Sequence, residues 1–476
     1  MPFDEEYFKS EDFQELLNSY EASIASGDTL FLDADDLADI ADYYNYVGQE
    51  DKADDVVDRG LELYPHETLL NVFKARQALM QEDYDKARSY CDAIDDKDTP
   101  DYHYLVAEIM IAEGNMDQAD EFLRKLYVET APDEVQDFVK DVANLYIDYG
   151  INDKAYEWMM RSKGDNSDDF KELMARTLFG LGKYKDSQKL FNELIDHNPY
   201  SIRYWNALAS AQFMDEDYGA AITSSEYAIA IDPEDPEGLL AKANGLLKIG
   251  NFEESIDYYR RYLKCVGDDP VAHLHIGACL VNMGHESEAI VELKKALKNS
   301  DPDDDNLKIQ VYQELAFCYA SLKKTDQAMA MLDKVAKLPC DQNDLLVVRG
   351  HILLGAERIE EAEEAFRQAL YRSNSDPAVT LRIIVSLYDN HYIKASYSMF
   401  KKFFQMTHGK QADNGYAYMA LCCHDLGYAD EFLYYLEEAV KRNPRETRLV
   451  LCHLFPEGMD VSQYVPYVEL RIKNVE

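Results

Sequence analysis

The sequence predicts an all-α solenoid of about twelve helical hairpins with capping helices at both ends. Three observations predict this fold class. Small residues recur at one helical position along most of the chain, and small residues recur again twelve positions after each of them. Proline closes several of these units, and the interval from Pro199 to Pro233 is one step of 34 residues. A period of this length is typical of stacked helical hairpins.

Residues 202–235 show one unit most clearly. Trp205, Leu208 and Phe213 recur at helical spacing and predict the buried face of a first helix. The polar run at 215–217 interrupts the pattern, and a second apolar stripe then consists of Ala221, Ile222, Ala228 and Ile231. Pro233 ends the second helix, because proline lacks an N–H group and clashes with the preceding turn. The unit is therefore predicted to be a helical hairpin.

Two ladders of small residues run through twelve such units. The first helices carry Ala41, Ala75, Ala107, Ala143, Ala175, Ala209, Ala243, Gly277, Ala316, Gly350, Ile384 and Ala420. The second helices carry Ala53, Ala87, Ala119, Ala155, Ser187, Ala221, Ser255, Ala289, Ala328, Ala362, Ser396 and Phe432. Left-handed turns are predicted between them at Gly48, Gly114, Gly150, Gly182, Gly250, Gly284 and Gly427. Uneven steps and the large Ile384 leave the register of residues 377–412 open.

In this pattern the chain resembles the tetratricopeptide repeat family. The match within residues 202–235 consists of Trp205, Ala209, Ala221, Ala228 and Pro233. The resemblance covers residues 34–446 and implies a right-handed superhelix whose concave surface is lined by the first helices. It also implies a function in binding other proteins or peptides.

Both ends of the chain are predicted to cover the array. Residues 1–33 are expected to form an N-terminal cap, with an apolar stripe that includes Phe13 and Leu17. Residues 34–446 are expected to form the repeat array, and residues 447–476 a C-terminal capping helix and tail. Such caps are needed because each repeat buries its apolar face only against its neighbours.

Charge and cysteine content restrict the function. The 91 Asp and Glu residues exceed the 48 Lys and Arg residues, so the net charge is −43. This charge disfavours nucleic acids and anionic membranes; it either attracts basic partners or keeps the chain soluble. Eight scattered cysteines indicate a reducing compartment. Because the chain shows no signal-peptide pattern and no apolar run of membrane-spanning length, a cytoplasmic location is expected.

No catalytic or metal-binding signature occurs in the sequence. It has no phosphate-binding glycine loop, no H-E-x-x-H motif and no G-x-S-x-G motif. Cys422, Cys423 and His424 form the densest group of soft ligands, but adjacent helical side chains point about 100° apart and cannot readily share one metal. We therefore expect no enzyme activity, no cofactor and no metal.

A polar zone is predicted on the concave face of the fourth to seventh repeats. It consists of Lys140, Asn144, Arg176, Arg203, Asn206 and Asn244. Lys140, Asn144 and Arg203 match part of the family's clamp for a chaperone carboxylate, whereas Leu173 and Ala207 depart from it. The zone is expected either to bind an acidic or amide-rich peptide, or to pair internally with residues such as Glu172.

An apolar zone is predicted on the same face of the later repeats. It consists of Leu274, Phe317, Val347, Leu381, Val385 and Leu421. This zone is expected to hold an amphipathic segment or a second copy of the chain, or to be buried within the fold itself.

The sequence therefore favours a scaffold or adaptor that binds a partner protein on its concave face. A regulator whose superhelix responds to a peptide is the first alternative. A non-catalytic repeat subunit of an enzyme complex is the second. The sequence leaves the partner, the pathway and the oligomeric state undetermined.

Overall fold

A computed structural model describes residues 5–26, 32–162, 164–407, 413–456 and 458–473. Every regular element within these ranges is a helix, which confirms the all-α prediction. The chain divides into two compact units, Met1–Ile231 and Asp232–Glu476, and each consists of stacked helical hairpins.

The first unit, which we call unit 1, contains fourteen α-helices within the described residues. They are α1 (Glu5–Phe8), α2 (Glu11–Ser26), α3 (Ala34–Tyr46), α4 (Glu50–Leu63), α5 (Thr68–Met80), α6 (Tyr84–Ala93), α7 (Pro100–Ala112), α8 (Met116–Glu129), α9 (Val135–Asp148), α10 (Asn152–Met159), α11 (Asp168–Gly180), α12 (Tyr184–His197), α13 (Ile202–Met214) and α14 (Tyr218–Ile231). From α3 onward, each odd-numbered helix pairs with the following helix as a hairpin.

The second unit, unit 2, also contains fourteen α-helices. They are α15 (Pro236–Ile249), α16 (Phe252–Val266), α17 (Pro270–Asn282), α18 (Glu286–Asn299), α19 (Asp305–Ser321), α20 (Thr325–Val335), α21 (Gln342–Gly355), α22 (Ile359–Arg372), α23 (Pro377–Asp389), α24 (Ile393–Met406), α25 (Tyr416–Leu426), α26 (Ala429–Arg442), α27 (Pro444–Leu451) and α28 (Tyr464–Lys473). Six hairpins run from α15 to α26.

The two ladders of small residues mark the places where the helices of each hairpin cross. All twelve positions on the first helices and all twelve on the second helices are buried. A β-carbon added to Gly350 would lie 2.3 Å from the ring of Phe366, and one added to Gly277 would lie 2.8 Å from Leu293. These helices therefore approach too closely for a larger residue at the crossing.

Serine on the second-helix ladder adds a hydrogen bond at the crossing. The hydroxyl of Ser187 donates to the carbonyl of Ala175 at 2.8 Å, and Ser255 donates to Ala243 at 2.9 Å. Ser396 makes the same bond to the carbonyl of Ile384 at 3.0 Å. The register that the sequence left open at residues 377–412 is thus the same as in the other hairpins.

The turn inside every hairpin contains one residue with positive φ, seven positions after the first-helix crossing. All seven glycines predicted at this turn adopt it, which confirms the turn assignment. In the other five hairpins the same conformation occurs at Glu82, Glu216, Lys323, Glu357 and His391. The hairpin geometry therefore imposes a left-handed backbone even where the side chain disfavours it.

The helices at the two ends cover apolar surfaces of the outermost hairpins. Phe13 of α2 packs against Tyr43 of α3, with ring centroids 5.4 Å apart. At the other end, α28 packs against α26, and the rings of Phe455 and Tyr464 stack at 3.7 Å. Residues 1–4, 27–31 and 474–476 of the predicted caps lie outside the described residues.

Replacement of Lys323 by glycine is expected to stabilise the protein. Lys323 has φ of 57°, a conformation that costs an L-residue about 1–2 kcal/mol and costs glycine very little. Because glycine also loses more entropy on folding, we expect Lys323→Gly to raise the free energy of unfolding by up to about 1 kcal/mol. Urea denaturation followed by circular dichroism measures this change.

Lys324→Gly is the matched control, because Lys324 is equally exposed but has φ of −100°. At position 324 glycine relieves no backbone strain, and it is expected to lower the free energy of unfolding by about 0.5–1 kcal/mol. Equal shifts in the two variants would contradict the assignment of strain to position 323.

Candidate functional site

The candidate site is the face on which side chains of successive first helices contact one another; we call it the inner face. In unit 1 it is formed by α3, α5, α7, α9, α11 and α13. In the family, the groove is lined by the residues six and three positions before the first-helix crossing and one, four and five positions after it. At these positions unit 1 carries eight carboxylates: Asp35, Asp42, Asp101, Glu108, Asp137, Asp148, Asp169 and Glu172. The same positions carry four cations: Arg76, Lys140, Arg176 and Arg203. The inner face of unit 1 is therefore acidic.

Each of these cations already has a carboxylate partner within unit 1. Arg76 contacts Glu108 of the next first helix at 2.9 Å. Lys140 contacts Asp137 on its own helix at 2.8 Å, and Arg203 pairs with Glu172. The positive charge predicted for this zone is consequently neutralised inside the protein.

Arg176 lies at the centre of the predicted polar zone. Its guanidinium donates to the side-chain oxygen of Asn144 at 3.2 Å and lies 3.7 Å from a carboxylate oxygen of Asp148. Asn144 also donates to Asp148 at 3.1 Å. These three side chains connect α9 and α11 across the inner face.

The last two predicted polar residues lie in different surroundings. Asn206 is 2% exposed, so it belongs to the interior of unit 1 more than to its surface. Asn244 lies in unit 2, where it accepts a hydrogen bond of 2.5 Å from the hydroxyl of Tyr259. The same hydroxyl contacts Nδ1 of His275 at 2.9 Å, and because it donates to Asn244, the histidine must donate to it.

Several inner-face carboxylates have raised pKa values. The surrounding protein desolvates Asp42 and raises the pKa of its carboxyl, and the charge of Asp39 raises it further. Desolvation also raises the pKa of Asp141 and of Asp148, although Arg176 partly offsets the effect at Asp148. All three remain exposed to water. Their negative charge is therefore accessible and incompletely compensated.

The predicted apolar zone divides between core and surface. Leu274, Val347 and Leu421 are buried within hydrophobic clusters of unit 2. Phe317, Leu381 and Val385 are half-buried. The ring of Phe317 contacts His351 edge-on at 6.1 Å, and Leu381 packs against the core cluster of the last hairpins. At least half of this zone therefore supports the fold itself.

The sequence-based selection of site residues omitted the first three hairpins. Inner-face residues were predicted only from the fourth repeat onward, so Asp42, Arg76 and Glu108 were missed. These residues occupy the same helix position as Asn144 and Arg176, immediately after the small residue of the ladder. Application of that register to every hairpin would have found them.

The cysteine cluster belongs to the core. Cys422 and Cys423 are both buried, and burial raises the pKa of Cys422 to about 11 and that of Cys423 to about 12. Both thiols are therefore held protonated. No set of three His, Cys, Asp or Glu side chains with metal-binding geometry occurs within the described residues. Among those residues, no helix combines the length and apolar character needed to cross a bilayer.

Family models described as tetratricopeptide repeat match residues 173–236, 309–339 and 344–376. Curated relatives include DnaJ homolog subfamily C member 3 from Homo sapiens and from Bos taurus. Each is 30% identical over 111 residues, which is 23% of this chain and 21% of the relative. The chain thus matches only about a fifth of the length of these relatives.

The chain is also similar to solved structures, at low sequence identity. A tetratricopeptide repeat protein from Parabacteroides merdae ATCC 43184 is 18% identical with a TM-score of 0.42, and the match covers 53% of this chain and 98% of that one. PilW, a type IV pilus biogenesis factor, is 18% identical with a TM-score of 0.39, covering 44% of this chain and 96% of that one. Tetratricopeptide repeat arrays are, in general, scaffolds for protein–protein interaction.

Neutralisation of Asp42 is expected to stabilise unit 1 at neutral pH. Because the folded-state pKa is raised above the ordinary 3.8, ionisation of this carboxyl opposes folding. Asp42→Asn removes that cost at pH 7. The advantage over the wild type is expected to shrink as the pH falls through the raised pKa towards 3.8, because the wild-type carboxyl is then neutral too.

Thermal melting of both proteins between pH 7 and pH 4 measures this difference. Asp257→Asn, at an exposed position in the middle of α16, controls for the loss of one charge from a very acidic chain. A pH-independent advantage of Asp42→Asn, or the same advantage in the control, would contradict the proposed cause.

Proposed function

Since the chain is a tetratricopeptide repeat protein, we propose that it is a non-catalytic scaffold that binds a basic, extended segment of a partner protein on the inner face of unit 1. One observation carries the proposal: the cations of this face are all paired, while exposed carboxylates remain in excess. The proposed site contains Lys140, Asn144, Arg176 and Arg203, with the partner's own cations contacting the carboxylates between them.

Charge explains why a basic segment fits better than an acidic one. An acidic peptide would have to separate Arg203 from Glu172 or Arg176 from Asp148 before it could bind them. A lysine or arginine of the partner would meet Asp42, Asp141 and Asp148 in their charged form and offset the desolvation that raises their pKa values. Each such pair is stronger in a partly desolvated groove than in water.

The spacing of the first helices supports an extended conformation. Neighbouring first helices such as α5 and α7, or α9 and α11, pack directly against each other. Packed helices are about 8–10 Å apart, and an extended chain in the polyproline II conformation advances about 3.1 Å per residue with three residues per turn, so that every third side chain lies on the same side. A partner with a cation at every third residue would therefore present one positive charge to each first helix.

We also propose a cellular location and further roles for this scaffold. Scattered cysteines support action in a reducing compartment such as the cytoplasm. The further roles are a superhelix that changes shape when a peptide binds, a non-catalytic subunit of an enzyme complex, and self-association through the apolar zone. The half-buried Phe317, Leu381 and Val385 are the residues available for self-association.

Binding of a synthetic peptide with lysine at every third position tests the proposal. Its affinity is expected to exceed that of a peptide of equal composition with clustered lysines, and glutamate in place of lysine is expected to abolish binding. The double charge reversal Asp42→Lys with Asp148→Lys is expected to lower the affinity for the spaced peptide at least about tenfold, equivalent to about 1.4 kcal/mol. Isothermal titration calorimetry measures all of these affinities.

Asp117→Lys with Glu129→Lys is the matched control, because both residues are exposed on α8 and the net charge changes equally. This control is expected to retain most of the affinity of the wild type. Equal affinity for the spaced, clustered and acidic peptides, or equal losses in the two double variants, would contradict a basic partner on the inner face.

A further inference from the structure

A second recessed surface lies in unit 2, where α20, α21 and α22 border a cleft of about 560 Å³. Along α20 the cleft is bordered by Asp326, Met329, Ala330 and Asp333, which share one face of the helix. Seven residues of α-helix span about 10 Å, or two turns. The cleft thus has the length of two helical turns.

The floor of this cleft is apolar. Met329 of α20 and Leu346 of α21 are half-buried, and Leu353 of α21 is buried beneath them. Ala330 and Ala365 add small side chains on the two walls. Half-buried apolar side chains at the base of an open cleft gain from contact with further apolar groups.

At the cleft, α21 carries smaller side chains than the preceding first helix does at the equivalent positions. In the preceding first helix, α19, the positions four before and three after the crossing are Tyr312 and Tyr319. Both tyrosines pack against the hydrophobic clusters on either side of α19. The equivalent residues of α21 are Leu346 and Leu353. Two leucines fill less space than two tyrosines, and the trough between α20 and α22 is open above Leu346.

The rim of the cleft is predominantly acidic. Its carboxylates are Asp326, Asp333, Glu360, Glu361 and Glu364. Its two arginines are already engaged, since Arg349 contacts Asp333 at 2.6 Å and Arg358 contacts Asp326 at 3.3 Å and Glu361 at 2.6 Å. The rim therefore retains a net negative charge around an apolar floor.

We propose that this cleft is a second docking surface, which binds an amphipathic helix of a partner protein. Two turns of that helix place apolar side chains at positions i and i+4 on the floor formed by Met329 and Leu346. Lysine or arginine residues beside the apolar stripe contact Glu360 and Glu364 on the rim. The cleft shares no residue with the proposed site in unit 1, so each surface can be tested by itself.

A fluorescein-labelled peptide helix with a leucine stripe and lysine on its other faces tests the proposal. The matched probe has the same composition in scrambled order, which keeps the charge and removes the stripe. By fluorescence anisotropy, the striped peptide is expected to bind at least about tenfold more tightly than the scrambled one. Hydrogen exchange is expected to show protection at residues 326–333 and 360–368.

Two variants address the cleft by different means. Leu346→Tyr with Leu353→Tyr restores the side chains found in α19 and fills the trough; it is expected to abolish the preference for the striped peptide. Glu360→Lys with Glu364→Lys reverses two charges on the rim and is expected to lower the affinity for the striped peptide at least about tenfold. The exposed rim variant keeps the test decisive if the tyrosine variant folds poorly.

Glu253→Lys with Asp257→Lys controls for charge, because both residues are exposed with the same spacing on α16. This control is expected to bind the striped peptide as the wild type does, apart from a small general loss of electrostatic attraction. Equal binding of striped and scrambled peptides, or losses in the control as large as those in Glu360→Lys with Glu364→Lys, would overturn the proposal.

Discussion

The close crossing of the two helices in each hairpin is the constraint on which the rest of the structure depends. All the ladder residues are buried, and at Gly350 even one additional carbon would collide with Phe366. Serine at the second ladder position donates a hydrogen bond to the facing carbonyl, as Ser187 does to Ala175, and so accommodates the short distance. Once the crossing is fixed, the positions of the turn and of both exposed faces follow from helical geometry.

The turn shows how strongly this constraint acts. Seven hairpins use glycine at the residue with positive φ, whereas Lys323 and Glu216 adopt the same backbone without that advantage. Packing along the two helices outweighs a local cost of about 1–2 kcal/mol. The same packing brings successive first helices together, so that Arg76 meets Glu108 and Arg176 meets Asp148. The electrostatic character of the inner face is thus a consequence of the stacking.

Two surfaces of different chemistry result from the repeated unit. The inner face of unit 1 is polar, with carboxylates such as Asp42 that remain exposed after the cations have paired. The cleft of unit 2 has an apolar floor formed by Met329, Leu346 and Leu353. Both surfaces carry excess negative charge, in agreement with the net charge of −43. Basic partners suit both, yet an extended segment suits the first and an amphipathic helix suits the second.

The sequence by itself determined the helical hairpins, their number and, outside residues 377–412, their register, because the spacing of small residues along the chain can be read without the three-dimensional structure. It also placed Lys140, Asn144, Arg176 and Arg203 at inner-face positions. Only the tertiary structure decided whether those charges are available, since Arg203 pairs with a residue 31 positions away in the sequence. It likewise placed Leu421 in the core. Pairing and burial depend on which neighbouring hairpin a side chain meets, and helical periodicity alone does not encode that choice.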